Sequence, residues 1–257
     1  LKKFINIYKK PKSEIKIALC GKYTELIDSY KSVLEAFVHA GVENNVRVLV
    51  EWVQTEKIRS NQSAKKSFIG ANGILILPGF GSRGSEGKIL SSRYARENNI
   101  PFLGICLGMQ CAIIDFARNV CKLEGANSTE FDKNTKYPVI DLMESQRAIK
   151  IKGGTMRLGA YDCELKKGTK TYLAYKQIKI SERHRHRYEV NNRYRKNFEK
   201  NGLIFSGINN DLGVVEAIEI EDHPWFIAGQ FHPELKSRVN KAHPLFRDFI
   251  AASNKYT

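Results

Sequence analysis

Cys106 stands between Gly104 and Gly108 in the stretch Ile100-Pro-Phe-Leu-Gly-Ile-Cys-Leu-Gly-Met-Gln110. The run before it is apolar and opens with Ile-Pro, as a short buried strand would. The run after it carries apolar residues at helical spacing from Leu107 to about Val120. A G-x-C-x-G turn between strand and helix is a nucleophile elbow, the thiol form of the serine arrangement. Backbone passes against backbone in such a turn, so a side chain at either glycine would collide. The turn lifts the sulfur above the sheet at a helix N-terminus. There the dipole favours thiolate, and the Leu107 N–H is open to an oxyanion. Cysteines are most often buried core residues. The two glycines, with a strand before and a helix after, set Cys106 apart from that ordinary use.

A thiol nucleophile needs a base that a third group orients. Trp225-Phe-Ile-Ala-Gly-Gln-Phe231 reads as a buried strand running into His232-Pro-Glu234. Residues two apart at a strand end point the same way. Glu234 can therefore accept a bond from the His232 ring or hold it through the local backbone. His223 and His243, each followed by proline, have no such carboxylate and read as loop residues. A third candidate lies in the strand-like stretch 177–190, which contains Glu182-Arg-His-Arg-His-Arg-Tyr-Glu189. Alternation puts Arg183, Arg185 and Arg187 on one face and His184 and His186 on the other. Paired histidines suggest a metal, but no third ligand is apparent. The expectation is a polar sheet face and no metal, with an arginine suited to a substrate carboxylate.

The elements that must hold these groups alternate. Ile15–Cys20 reads as a first strand. A helix capped by Asp28 or Ser29 runs through Tyr30, Val33, Leu34, Phe37 and Val38 and ends near Gly41. Strands follow at Arg47–Val53, Gly73–Pro78 and Ile100–Ile105, with a helix at about Glu86–Asn98. Strands alternating with helices make an α/β fold, an open and largely parallel central sheet flanked by helices, and ligands bind beyond the carboxyl ends of its strands. Cys106 and the glycine loop at 79–84 both lie there. Gly79-Phe-Gly-Ser-Arg-Gly84 matches the dinucleotide fingerprint, but the next strand ends in Cys106 where that fingerprint needs an acid. Gly87-Lys88 resembles a phosphate loop, yet position 82 is serine and position 89 isoleucine. The loop is better used to offer backbone N–H groups to an oxyanion beside Cys106. After Val120 the pattern loosens, and 126–131 and 152–159 read as polar, glycine-bearing loops of the kind that carry function.

Composition narrows the classes. The chain has 257 residues, 42 Lys+Arg against 27 Asp+Glu and a net charge of +15. The lysines are scattered, as in Lys2, Lys3, Lys65, Lys66, Lys166 and Lys167, and no recognition helix, zinc finger or stacking platform accompanies them. Surface solvation is favoured over a nucleic-acid partner, with an anionic partner domain as a third reading. Five cysteines at irregular spacing, without a C-x-x-C, argue against a disulfide framework and fit a reducing, cytoplasmic setting. No apolar run is long enough to span a bilayer, and no signal-peptide pattern is present. The start at Leu1 suggests a piece of a longer chain, with residues 1–13 as a linker from an absent N-terminal domain and 14–257 as the functional domain.

Gly-Ile-Cys-Leu-Gly-Met-Gln at 104–110 and Phe-His-Pro-Glu at 231–234 resemble the class I glutamine amidotransferases. Gly21-Lys-Tyr23, 28–33, 127–131, 154–159 and 182–191 narrow the resemblance to the glutaminase domain of the CTP synthases, from about Ile15 to the C-terminus. The resemblance implies that Cys106 attacks the side-chain amide of L-glutamine, with His232 as base and then acid and Glu234 completing the triad. A glutamyl thioester would form, and ammonia would pass to a synthetase domain to aminate UTP. It further implies a glutamine pocket of Gly79, Leu107, Gly108, Met109, Gln110, Glu130 and Arg187. In that pocket Glu130 would meet the α-ammonium and Arg187 the α-carboxylate, with the Gly79 and Leu107 N–H groups as oxyanion donors. No cofactor is expected in this domain; ATP and Mg would sit on the synthetase domain, and the full-length protein would be a homo-oligomer.

One position departs from the family. Pro78 stands where the family's oxyanion loop has a glycine, which fixes φ and removes an N–H. The expectation is that the Gly79 N–H serves the oxyanion and that little is lost. Alternatives are a glutaminase for another acceptor, such as a purine nucleotide, and a catalytically silent regulatory or assembly module. The 182–189 and 154–159 segments argue against the first, and the intact Cys106, His232 and Glu234 against the second.

Overall fold

The computed structural model describes residues 1–22, 30–142 and 156–256. Its centre is a parallel block made by β1 (Ser13–Gly21), β2 (Val46–Gln54), β3 (Gly73–Ile76), β4 (Phe102–Ile105) and β12 (Phe226–Gly229), in the order β2-β1-β3-β4-β12. Every residue of β3, β4 and β12 is buried. Such short, wholly apolar runs are what a parallel sheet needs when helices cover both faces.

One face lies under α4 (Ser85–Glu97) and α5 (Leu107–Asn119), where Ile74, Ile76 and Phe102 meet Ile89, Met109 and Ile113. The opposite face lies under α2 (Lys31–Asn44) and α8 (Pro244–Lys255). There Leu19, Leu75 and Leu103 meet Phe37, Phe246 and Phe249. Each such large side chain, fully buried, contributes about 1.5–3 kcal/mol. Phe102 and Phe226 stack at 4.1 Å between centroids and tie β4 to β12. The expected elements are therefore present, with ends no more than three residues from those read in the sequence. The proposed caps Asp28 and Ser29 lie outside the described residues, as does Tyr23 of the Gly21–Tyr23 motif.

The sheet continues past β12 as an antiparallel wing that alternation alone did not delimit. It consists of β11 (Val214–Ile220), β10 (Leu203–Asn209), β7 (Arg157–Leu165) and β8 (Lys179–His186), in that order. The segment read as a loop at 152–159 thus becomes the start of β7 from Arg157 onward; 152–155 lie outside the described residues. A second, three-stranded sheet joins β5 (Asn127–Ser128), β6 (Pro138–Asp141) and β9 (Glu189–Val190). It fixes the loops that bear Glu130 and Arg187. Short helices α3 (Asn61–Ser67), α6 (Lys170–Tyr175) and α7 (Arg195–Lys200) fill the connections.

Residues 2–9, expected to be linker, form α1 (Lys2–Lys9), which buries none of its residues. Phe4 of α1 and His39 of α2 face each other at 6.3 Å between ring centroids. Among the described residues no helix is long and apolar enough to cross a membrane.

Candidate active site

The elbow is built by contacts that forbid side chains at both glycines. A Cβ on Gly104 would lie 2.9 Å from the Gly108 carbonyl carbon, and one on Gly108 would lie 2.6 Å from the Ile76 oxygen. The turn between them holds Cys106 at φ 54° and ψ −103°. A non-glycine residue in so sparsely populated a region costs about 1–3 kcal/mol and persists only where its surroundings enforce it. Here they do. The Cys106 N–H donates to the Gly229 oxygen at 2.8 Å, and the Cys106 oxygen accepts from Met109 and Gln110. Leu107 then opens α5, where the first N–H groups have no partner within the helix.

His232 reaches the same place from the end of β12. Its Nδ1 lies 2.7 Å from Glu234 Oε1. The pairing does not come from an extended strand end, as the spacing suggested. Pro233–Lys236 form a 3-10 turn that swings the carboxylate back under the ring. The His232 N–H donates to the Arg183 oxygen of β8 at 2.8 Å, which fixes the backbone behind the ring. Burial disfavours a charged imidazole, but Cys106 and Glu234 outweigh it and raise the His232 pKa to about 10. Glu234 occupies Nδ1, so the Cys106 interaction falls to Nε2, which makes no hydrogen bond of normal geometry. A proton on that nitrogen is therefore available to a substrate atom brought between ring and sulfur.

These groups face a cavity of about 700 Å³, ample for an amino acid. Gly79, Cys106, Gln110, Glu130, Arg187, His232 and Glu234 all line it, together with Lys22 and Tyr188. The remaining expected positions sit behind the wall. Met109 is packed in the core, and Gly108 lies against the β3 backbone. Leu107 is buried, with its side chain 3.5 Å from where a Gly79 Cβ would lie, so the glycine loop rests on the start of α5.

Glu130 ties the two loops of the wall together, because its Oε1 accepts from the Gly81 N–H at 2.7 Å. Burial raises the Glu130 pKa, opposed by that N–H and by the charges of Lys22, Arg187 and Lys88. Lys88 is the lysine of the false phosphate loop. It is buried, and its Nζ donates to the Leu77 oxygen at 2.8 Å, one residue before Pro78. Burial lowers its pKa.

Along β8 the expected alternation holds, but the histidine face turns inward. His184 and His186 are buried, while Arg183 and Arg185 are exposed. Arg157 bridges Glu189 at 3.1 Å and Glu216 at 2.6 Å, and His186 Nε2 meets Glu189 at 2.8 Å. Burial raises the Glu216 pKa to about 7 despite Arg157. Burial, helped by Arg157, His186 and His232, lowers that of His184 to about 2, so His184 is neutral. Among the described residues no group of three or more His, Cys, Asp or Glu is arranged to hold a metal ion.

The two histidines read as loop residues do lie outside helices and strands, but both are buried. His243 caps α8, and its Nε2 lies 3.1 Å from Glu182 Oε1, a carboxylate too distant in sequence to be seen. His223 packs on Phe226 and accepts from the Trp225 N–H.

The glutamine amidotransferase class-I family model matches residues 25–252. The chain belongs to the class I glutamine amidotransferases. It is 57% identical over 255 residues to a CTP synthase of Pelodictyon phaeoclathratiforme, an alignment covering 98% of this chain and 45% of that protein. A CTP synthase of Prosthecochloris aestuarii is 58% identical over 257 residues, covering 99% of this chain and 46% of the relative. The chain thus spans about half the length of the curated relatives it matches. Among solved structures, the glutaminase domain of Trypanosoma brucei CTPS with bound acivicin superposes with a TM-score of 0.88 at 37% identity, covering 95% of each chain.

Two residues of this glutamine amidotransferase site escaped the sequence reading. Gln230 Nε2 lies 3.8 Å from the Cys106 sulfur, and its only sequence signal is a polar residue closing an otherwise apolar strand. Lys88 was visible only as half of a failed motif.

Proposed function

We propose that this chain hydrolyses L-glutamine through Cys106, His232 and Glu234 and delivers the ammonia to a synthetase domain that aminates UTP to CTP. One observation carries the reading. The elbow cysteine and the paired His232 and Glu234 line one cavity with Glu130 and Arg187, the two charges that an α-amino acid requires. Arg187 suits the α-carboxylate and Glu130 the α-ammonium, so the side-chain amide is left to extend toward the sulfur.

In the reaction so read, His232 holds the proton taken from the Cys106 thiol, with Glu234 stabilising the charged ring. The sulfur attacks the amide carbon, and the oxygen takes up charge facing the N–H groups of Gly79 and Leu107. His232 then gives its proton to the departing nitrogen, ammonia leaves, and a glutamyl thioester remains. Water, deprotonated by the same ring, attacks the thioester, releasing glutamate and restoring the thiol. The likeness to CTP synthases supports UTP as the acceptor, and in this reading ATP and Mg belong to the synthetase portion.

An electrophilic glutamine analogue tests this reading through intact mass. One adduct on the parent and none on Cys106→Ser is expected. No adduct on the parent, alone or with a synthetase domain added, would favour a silent module.

A further inference from the structure

Gln230 is fully buried, and its backbone is pinned by an N–H donated to the Glu216 oxygen at 2.8 Å. Its side chain sits between two partners. Nε2 lies 3.8 Å from the Cys106 sulfur, within hydrogen-bond reach of so large an atom, and Oε1 accepts from Gln110 Nε2 at 3.2 Å. Gln110 Nε2 also donates to the Tyr188 oxygen at 3.0 Å. A backbone carbonyl can only accept, so the Gln110 amide must turn its NH2 toward it. That NH2 then requires the oxygen of Gln230, and the Gln230 NH2 is left facing the sulfur. The opposite orientation would set donor against donor at Gln110 and acceptor against anion at Cys106.

We propose that Gln230 is a catalytic residue, an N–H donor to the Cys106 sulfur anion, and that Gln110 is the positioning residue that fixes its orientation. The proposal deepens the glutaminase reading and rests on it. A hydrogen bond to the charged form of a group favours that form. Gln230 thus favours sulfur as an anion twice: before attack, and when the thioester breaks and sulfur departs with the bonding pair. In the intermediate between these points the sulfur is bonded to carbon and carries no charge, so the donor adds little there. The relay also has an outer end. Tyr188 lines the cavity beside Arg187, so the wall that meets the substrate carboxylate is three hydrogen bonds from the sulfur.

The test is the rate of Cys106 alkylation by iodoacetamide across pH, read by peptide mass in the parent, Gln230→Leu, Gln230→Glu and Gln110→Leu. The charged groups facing the sulfur, His232 after β12 and Lys88 on α4, stay in place in all four. Gln230→Leu should move the midpoint of labelling up by about one pH unit, a tenfold smaller thiolate fraction on the acid side. The plateau rate at high pH should not fall, because a thiolate without that donor is the stronger nucleophile. Gln230→Glu, nearly isosteric, should move the midpoint further in the same direction, and Gln110→Leu should move it less. Melting curves identify which variants are folded; should the leucine variant not fold, the glutamate variant decides. An unmoved midpoint in a folded Gln230 variant overturns the proposal. Iodoacetamide needs no glutamine pocket, so failure of the glutamine-analogue experiment would be seen separately.

Discussion

His232 Nδ1 and Glu234 Oε1 meet at 2.7 Å across a single intervening proline. A carboxylate two residues from its histidine is carried by the same turn, so the ring and the partner that orients it come from one short segment. Glu234→Gln keeps the size but replaces the acceptor that stabilises a charged ring. Glutaminase kcat should fall by about 10²–10⁴-fold with KM little changed. Steady-state ammonia release checks this.

The same pair makes stability depend on pH. The folded His232 pKa is raised from 6.5 to about 10, so the native state holds a proton that the unfolded state gives up. The stabilisation is complete below about pH 6.5 and is lost as pH rises through about 10. Denaturant titrations of the parent and His232→Gln should show a gap in unfolding free energy that closes between those limits. A gap constant from pH 6 to 10.5 would contradict the assignment.

Gly108→Ala places a methyl group 2.6 Å from the Ile76 oxygen, against backbone that cannot yield. The variant should lose about 1–3 kcal/mol of stability by overpacking, and its labelling by a glutamine analogue should collapse with the elbow. Thermal melting and intact mass read the two effects together.

Lys88→Met removes the donor to the Leu77 oxygen without changing the length of the side chain much. A buried carbonyl left without a partner costs about 1–3 kcal/mol. The loop carrying Gly79 should then settle less well over Cys106, lowering kcat more than it raises KM. Pro78→Gly, on the same loop, tests the other side of the question. If the Gly79 N–H meets the oxyanion, restoring a glycine at 78 leaves turnover near the parent's, and a large rise would show that the proline is a handicap.

The parts of the site visible in the sequence are those whose partners lie close along the chain. Gly104, Cys106 and Gly108 share one turn, His232 and Glu234 another, and β3, β4 and β12 announce themselves as short apolar runs. What stayed hidden depends on residues brought together from afar. Glu182 and His243 are 61 positions apart, Gln110 and Gln230 are 120, and Arg157 reaches Glu216 across 59. A histidine face on β8 looks polar until Arg157 and two glutamates arrive from other strands to bury it. No local period contains that information.

The hydrogen bond from the His232 N–H to the Arg183 oxygen also says something about the shape of the sheet. β8 is four strands from β12, roughly 19 Å away if the sheet were flat. The two segments nevertheless touch at 2.8 Å, so the wing curls back over the carboxyl ends of the parallel block. Strand β8 is an edge, and an open edge is a template on which another chain can add a strand and start an aggregate. Here two of its outward carbonyls are already engaged: Arg183 by the histidine loop, and Ser181 by the ammonium of Lys236. The segment that carries His232 therefore also covers the middle of that edge against intermolecular pairing. Loosening it would show as self-association as well as lost turnover.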